Sequence, residues 1–88
     1  MEIEFDPDKE ATNLAKHKIS LRRAAQFECR TIEWVVRHGE VRLSSVGILD
    51  GRLYSLTFTF RHDSVRAISL RRAHLKELLN ALKKASGV

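Results

Sequence analysis

Four arginines fall within twelve residues, Arg61, Arg66, Arg71 and Arg72, and guanidinium is the side chain whose paired N–H groups best match two phosphate oxygens. Glu40 and the histidines His17, His38 and His62 supply groups that give or take a proton, and histidine titrates near neutral pH without special tuning. Cutting a phosphodiester without a metal needs these parts: a base for the attacking hydroxyl, cations to hold the phosphate as charge builds, and an acid for the leaving oxygen. The residues leave open which of Glu40, His38, His62 and His17 is base and which is acid.

Each group also has a structural role open to it. Arg66 or Arg71 can pair with Glu40 or Glu77, and His62 can be a solvated turn residue. The Lys16-His17 pair can neutralise the end of a helix dipole, and His38-Gly39-Glu40 can be turn chemistry. Histidines at 17, 38, 62 and 74 show none of the short spacings of a zinc site, so neither metal nor cofactor is expected. The glycines are scattered, with no phosphate-binding loop and no Gly-x-Ser-x-Gly elbow. The single cysteine, Cys29, permits no internal disulfide and reads as a buried or half-buried thiol in a reducing compartment.

The formal charge of +5 is unevenly placed. Residues 1–60 hold nine Lys or Arg and nine Asp or Glu, whereas residues 61–88 hold seven and two. A basic surface on one part of a chain points to a polyanion or an acidic partner. At 88 residues, 43% hydrophobic and 31% charged, the chain reads as one domain over 1–88. No apolar run approaches the roughly 18 residues of a membrane span. The acidic start Met-Glu-Ile-Glu-Phe-Asp lacks the pattern of a signal peptide, so no membrane association and a cytoplasmic location are expected.

The elements that must hold these residues read as an α+β fold. Ile3 to Phe5 is a candidate short edge strand. Asp6-Pro7 opens a helix with an apolar stripe of Ala11, Leu14 and Ala15, and Ser20 caps a second helix carrying Leu21, Ala24 and Ala25. Ile32 to Arg37, Val41 to Leu49, Arg52 to Phe60 and Ser64 to Leu70 then alternate as four strands. They are separated by His38-Gly39, Asp50-Gly51 and His62-Asp63. Asp50-Gly51 is the strongest turn signal, because a two-residue type I′ turn needs positive φ at both positions. A final helix over Arg72 to Lys84 aligns Leu75, Leu78, Leu79 and Leu82. The expected layer is a four-stranded, mainly antiparallel sheet with helices on its apolar face. Its polar face carries Thr57, Thr59 and Arg61. Strict alternation sends Arg66 and Arg71 to opposite faces if their strand is regular.

Glu4-Phe5-Asp6-Pro7-Asp8-Lys9, with Asn13, Lys16-His17, Ile19-Ser20, Ala24-Ala25 and Phe27 after it, resembles the opening of the BrnT family of bacterial toxins. Gly39-Glu40, Arg42, Gly47, Gly51-Arg52, Phe58-Thr59 and Arg66-Ala67-Ile68-Ser69-Leu70-Arg71-Arg72-Ala73 with Glu77 resemble the rest of its pattern. The resemblance spans nearly the whole chain. It implies a RelE-like fold and a ribonuclease toxin that arrests translation. It also implies neutralisation by a ribbon-helix-helix antitoxin, BrnA, that alone carries the contact to operator DNA.

Residues and resemblance together make Arg66, Arg71, Glu40 and His38 the catalytic candidates. Arg61, Arg72, Lys76, Lys9, Lys16 and His17 are the candidates for RNA contact. The expected partners are an RNA substrate and a BrnA-like antitoxin, in a hetero-oligomer. The alternative is a degenerate toxin that binds nucleic acid or antitoxin without cutting.

Overall fold

The structure, a computed structural model, describes residues 2–87. Its elements run β1 (Glu2–Glu4), α1 (Pro7–His17), a 3₁₀ helix (Leu21–Gln26), β2 (Glu28–Cys29), β3 (Glu33–Arg37), β4 (Glu40–Leu49), β5 (Arg52–Arg61), β6 (Ser64–Arg72) and α2 (Leu75–Ala85). The sheet has six strands in the order β1-β6-β5-β4-β2, with β3 also against β4. Four of them are the strands expected from alternation. The short β1, parallel to β6, falls one residue ahead of the edge strand expected over Ile3 to Phe5, and the two-residue β2 is additional.

Local chemistry explains the boundaries. Asp6 caps α1 by accepting from the Asp8 N–H at 2.7 Å, and the helix ends where Lys18 turns left-handed at φ 61°. The second expected helix is a single 3₁₀ segment. Residues three apart eclipse on a 3₁₀ helix, so Leu21 and Ala24 bury together, and the chain is then free to enter β2. Ser20 caps the segment, and Glu10 of α1 binds both the Ser20 hydroxyl and the Leu21 N–H.

The hairpin turns His38-Gly39 and Asp50-Gly51 have the same geometry, φ 53° then 74° in each. Positive φ at both central residues matches the right-handed twist of the flanking strands.

The two faces of the sheet are covered differently. Leu43, Leu49, Leu56, Phe58, Ala67 and Leu70 pack on one face beneath Leu21 and Ala24 of the 3₁₀ helix. On the other face Val46, Ala73 and Ala81 pack with Leu53 and Leu78, so α2 lies on the face expected to be bare. Strand β6 continues through Arg72, which delays α2 to Leu75, and the Glu77 carboxylate accepts from the His74 N–H at 2.8 Å to cap it. Only Leu78 of the expected leucine stripe packs inward. Leu75, Leu79 and Leu82 are exposed. Helix α1 likewise buries Asn13 rather than Leu14.

Cys29 lies on β2 and is exposed rather than buried, with its thiol against the Ser45 hydroxyl. Opposite it, Gly47 permits the close approach of β2. A Cβ at Gly47 would overlap the Glu28 carbonyl oxygen and stand 2.7 Å from Phe27 Cζ. Gly47→Ala is therefore expected to cost about 3 kcal/mol, because backbone cannot move aside as a flexible side chain can. Urea denaturation measures this, and a loss under about 1 kcal/mol would show that β2 is loosely held.

Candidate functional site

Strand β6 is not regular. Leu70 pairs with Leu56 and Ser69 with Thr57, but the next pair is Ala67 with Phe58, so Ile68 is an extra residue. A β-bulge of this kind resets the alternation of everything beyond it. Leu70 and Ala67 both turn into the core. Arg71, opposite Ser55, and Arg66, opposite Thr59, therefore both project from the other face. The expectation that they face opposite ways fails because of this one residue.

On that face, beyond the end covered by α2, three adjoining concavities form one groove. The first, about 330 Å³, is lined by Arg37, His38, Arg42 and Arg71 with Ser44, Ser55, Thr57 and Ser69. The second, about 140 Å³, brings Lys9, Glu40, Arg42, Arg61 and Arg66 together beside Asp6. The third, about 240 Å³, is closed by α1 through Lys9, Lys16 and His17 and again reaches Arg42. Arg42 and the bulged Ile68 line all three. Seven Lys or Arg side chains and two carboxylates, Asp6 and Glu40, line the groove. Such a surface concentrates an anionic ligand, and its hydroxyls can bind phosphate oxygens.

The arginines are oriented by carboxylates. Arg42 Nε stands 3.3 Å from Glu40 Oε1, and Arg66 Nε 3.2 Å from Glu4 Oε1. Arg71 meets Glu77 with two bonds, 2.8 and 3.2 Å, and also donates to the Arg72 carbonyl. This guanidinium is the main cause that holds the Glu77 carboxyl below its ordinary value of 4.5, with the His74 N–H helping and burial opposing. A depressed carboxyl stabilises the fold above its unfolded value and loses that contribution as pH falls through its folded one. Glu77→Gln is thus expected to cost about 1 kcal/mol at pH 7, a modest figure because the pair is partly exposed. In paired melts the difference from the parent protein should shrink below about pH 4.5. A gap that stays constant down to pH 3 would contradict this.

Eight of the ten residues singled out from sequence line the groove: Lys9, Lys16, His17, His38, Glu40, Arg61, Arg66 and Arg71. Arg72 does not. It lies on the opposite face, with its guanidinium 5.6 Å from the Tyr54 ring centre. Lys76, in the first turn of α2, is exposed and lines none of the three concavities. His62 borders a neighbouring hollow with Arg61 and Arg66. Arg37 and Arg42 are the residues that sequence reasoning left outside the site. The alternation Glu40-x-Arg42-x-Ser44 on β4 was the signal that places Arg42 on the polar face.

Residues 5–77 match the family profile of the ribonuclease toxin, BrnT, of type II toxin-antitoxin systems. The chain belongs to the BrnT family. Its fold is similar to that of the crystal structure of the Brucella abortus ribonuclease toxin BrnT, with a TM-score of 0.63 at 24% identity, over 84% of this chain and 97% of that one. Among curated proteins none matches. The groove of this BrnT-family chain draws on both ends of the matched span, from Lys9 on α1 to Arg71 on β6. Among its described residues no helix is long and apolar enough to cross a membrane.

Proposed function

We propose that the chain is a metal-independent endoribonuclease that cuts RNA in the groove, arrests translation when unopposed, and is neutralised by a BrnA-like ribbon-helix-helix antitoxin. The observation that carries this reading is the convergence on Arg42, where the Glu40 side of the groove meets the His38 side. In this reading the scissile phosphate sits at Arg42 between Arg66 and Arg71, whose carboxylate partners keep the guanidinium groups aimed. Glu40 and His38 exchange protons with the 2′-hydroxyl and the 5′-oxygen. Lys9, Lys16, His17 and Arg61 hold flanking phosphates, a role that makes affinity fall with salt. The antitoxin covers the groove with acidic side chains and supplies the contact to operator DNA.

The same ion pairs favour a second reading, in which Arg66 and Arg71 are structural and the groove binds without cutting. Incubating the purified chain with RNA in EDTA separates the two. Cleavage leaving 2′,3′-cyclic phosphate ends is the expected result. Salt-dependent binding of RNA that stays intact would select the second reading. In cells, expression of the chain should halt growth, and co-expression of the antitoxin should restore it.

A further inference from the structure

Strand β3 is an edge: it pairs with β4 on one side, and among the described residues no element pairs with the other. Exposed edges are normally blunted with proline, lysine or a bulge, since they template pairing with another chain. The five residues of β3, Glu33-Trp34-Val35-Val36-Arg37, carry no proline, lysine or bulge, and their two charges, of opposite sign, stand at the ends of the strand. They do carry two large apolar side chains in water, Trp34 at 70% and Val36 at 69% exposure.

Pairing parity fixes which backbone groups are free. Arg37 and Glu40 close a two-residue hairpin, so Arg37, Val35 and Glu33 turn their N–H and C=O groups toward β4. Trp34 and Val36 turn theirs outward. An antiparallel pairing of β3 with a second β3, centred on Val35, sets Trp34 against Val36 of the other copy and Val36 against its Trp34. Four backbone hydrogen bonds then form between groups now unpaired. The same register sets Glu33 against Arg37 of the other copy, and Arg37 against its Glu33. Opposite charges and aromatic–aliphatic pairs directly across an antiparallel ladder are the favourable combinations. Lys84 already touches Glu33 at 3.2 Å, but a carboxylate has lone pairs for a second cation.

We infer that the β3 edge is a homodimerisation surface, which joins two copies of this chain about a two-fold axis through Val35 into one continuous sheet. The self-complementary order acid, aromatic, valine, valine, base is what selects a second copy as occupant, because a two-fold interface must match itself. The axis is perpendicular to the sheet, so both grooves open on the same side. Val35, Arg37 and His38 of the two copies lie next to each other there, and a single RNA strand can touch both cationic faces. The association is independent of whether RNA is cut.

The interface is small, so the dimer is weak and populates over roughly 10–500 µM. Sedimentation equilibrium of the purified chain reads it directly. Arg37→Glu sets two acidic pairs across the axis and Glu33→Lys sets two basic ones, so each variant alone should associate at least about tenfold more weakly. An equimolar mixture of the two should dimerise again, because both of its cross-axis pairs are then opposite in sign. Trp34→Ser, at an exposed position, should also weaken association, and it serves if a charge variant fails to fold. A chain that stays monomeric to about 500 µM overturns the inference, as does a dimer that neither charge variant nor Trp34→Ser weakens.

Discussion

Replacing Arg42 with alanine is expected to lower RNA cleavage by two to three orders of magnitude, the scale for removing one preorganised donor to developing charge. It should leave the melting temperature within a few degrees of the parent protein. Among the described residues Arg42 is the only cation that lines all three parts of the groove. Its side chain is 20% exposed, so it is held in place, yet its partner Glu40 is 53% exposed and remains hydrated when the arginine is gone. Breaking a pair with one wet partner costs little stability. Arg71→Ala is a less clean probe, since Glu77 would lose a two-bond partner at the start of α2 and the loss of activity would mix with loss of order. Arg42→Lys should restore charge but not the two-pronged geometry, and so recover binding more than rate. In salt titrations of RNA binding by Arg42→Ala, the slope should fall by about one phosphate contact. Cleavage within about threefold of the parent protein would remove Arg42 from the chemistry and with it the proposed position of the scissile phosphate.

The elements were legible because their signals are local. Asp50-Gly51 announces its turn, and Tyr54, Leu56 and Phe58 announce the buried face of β5. The facing of the arginines was not, because alternation assumes an unbroken ladder and nothing in the identity of Ile68 marks it as the extra residue. Adjacency misled in the opposite sense at Arg71-Arg72. Neighbours in a regular stretch of strand point to opposite faces, so this doublet, which lies beyond the bulge, delivers only Arg71 to the groove. The charge count hid the other half of the groove. Residues 1–60 balance to zero, yet Lys9, Lys16, Arg37 and Arg42 turn into it while Asp50 pairs with Arg23 and Glu28 with Arg30 elsewhere. Net charge sums over the chain, whereas a ligand meets only one face.

Asn13→Ala is expected to be the most damaging single substitution for stability, at about 3–5 kcal/mol. Strand β1 pairs with β6 only along Ser64 to Arg66. At Leu70 the edge of β6 is closed instead by the Asn13 amide, which donates to the Leu70 carbonyl at 2.8 Å and accepts from the Leu70 N–H at 2.9 Å. The same amide nitrogen donates to the Ile19 carbonyl, also at 2.8 Å, and fixes the chain as it leaves α1. Asn13 is 3% exposed, and its two bonds to Leu70 are buried, so the groups it satisfies there lie away from bulk water. Each buried group left unpaired costs about 1–3 kcal/mol. Taken from a domain with roughly 5–15 kcal/mol in total, the loss should lower the melting temperature by about 15–30 °C. Asn13→Asp is no rescue, because a carboxylate cannot donate to two carbonyls and would face them with a negative charge. The effect should also reach the groove. Asn13 fastens α1 to β6, and α1 carries Lys9, Lys16 and His17 to the rim beside Ser69. Where the variant is still folded, the Leu70 amide should exchange with solvent faster than its neighbours and RNA affinity should drop without any groove cation having been touched. A stability loss below about 1 kcal/mol would mean that β6 keeps its edge closed without Asn13, and would leave the placement of α1 over the groove without its cause.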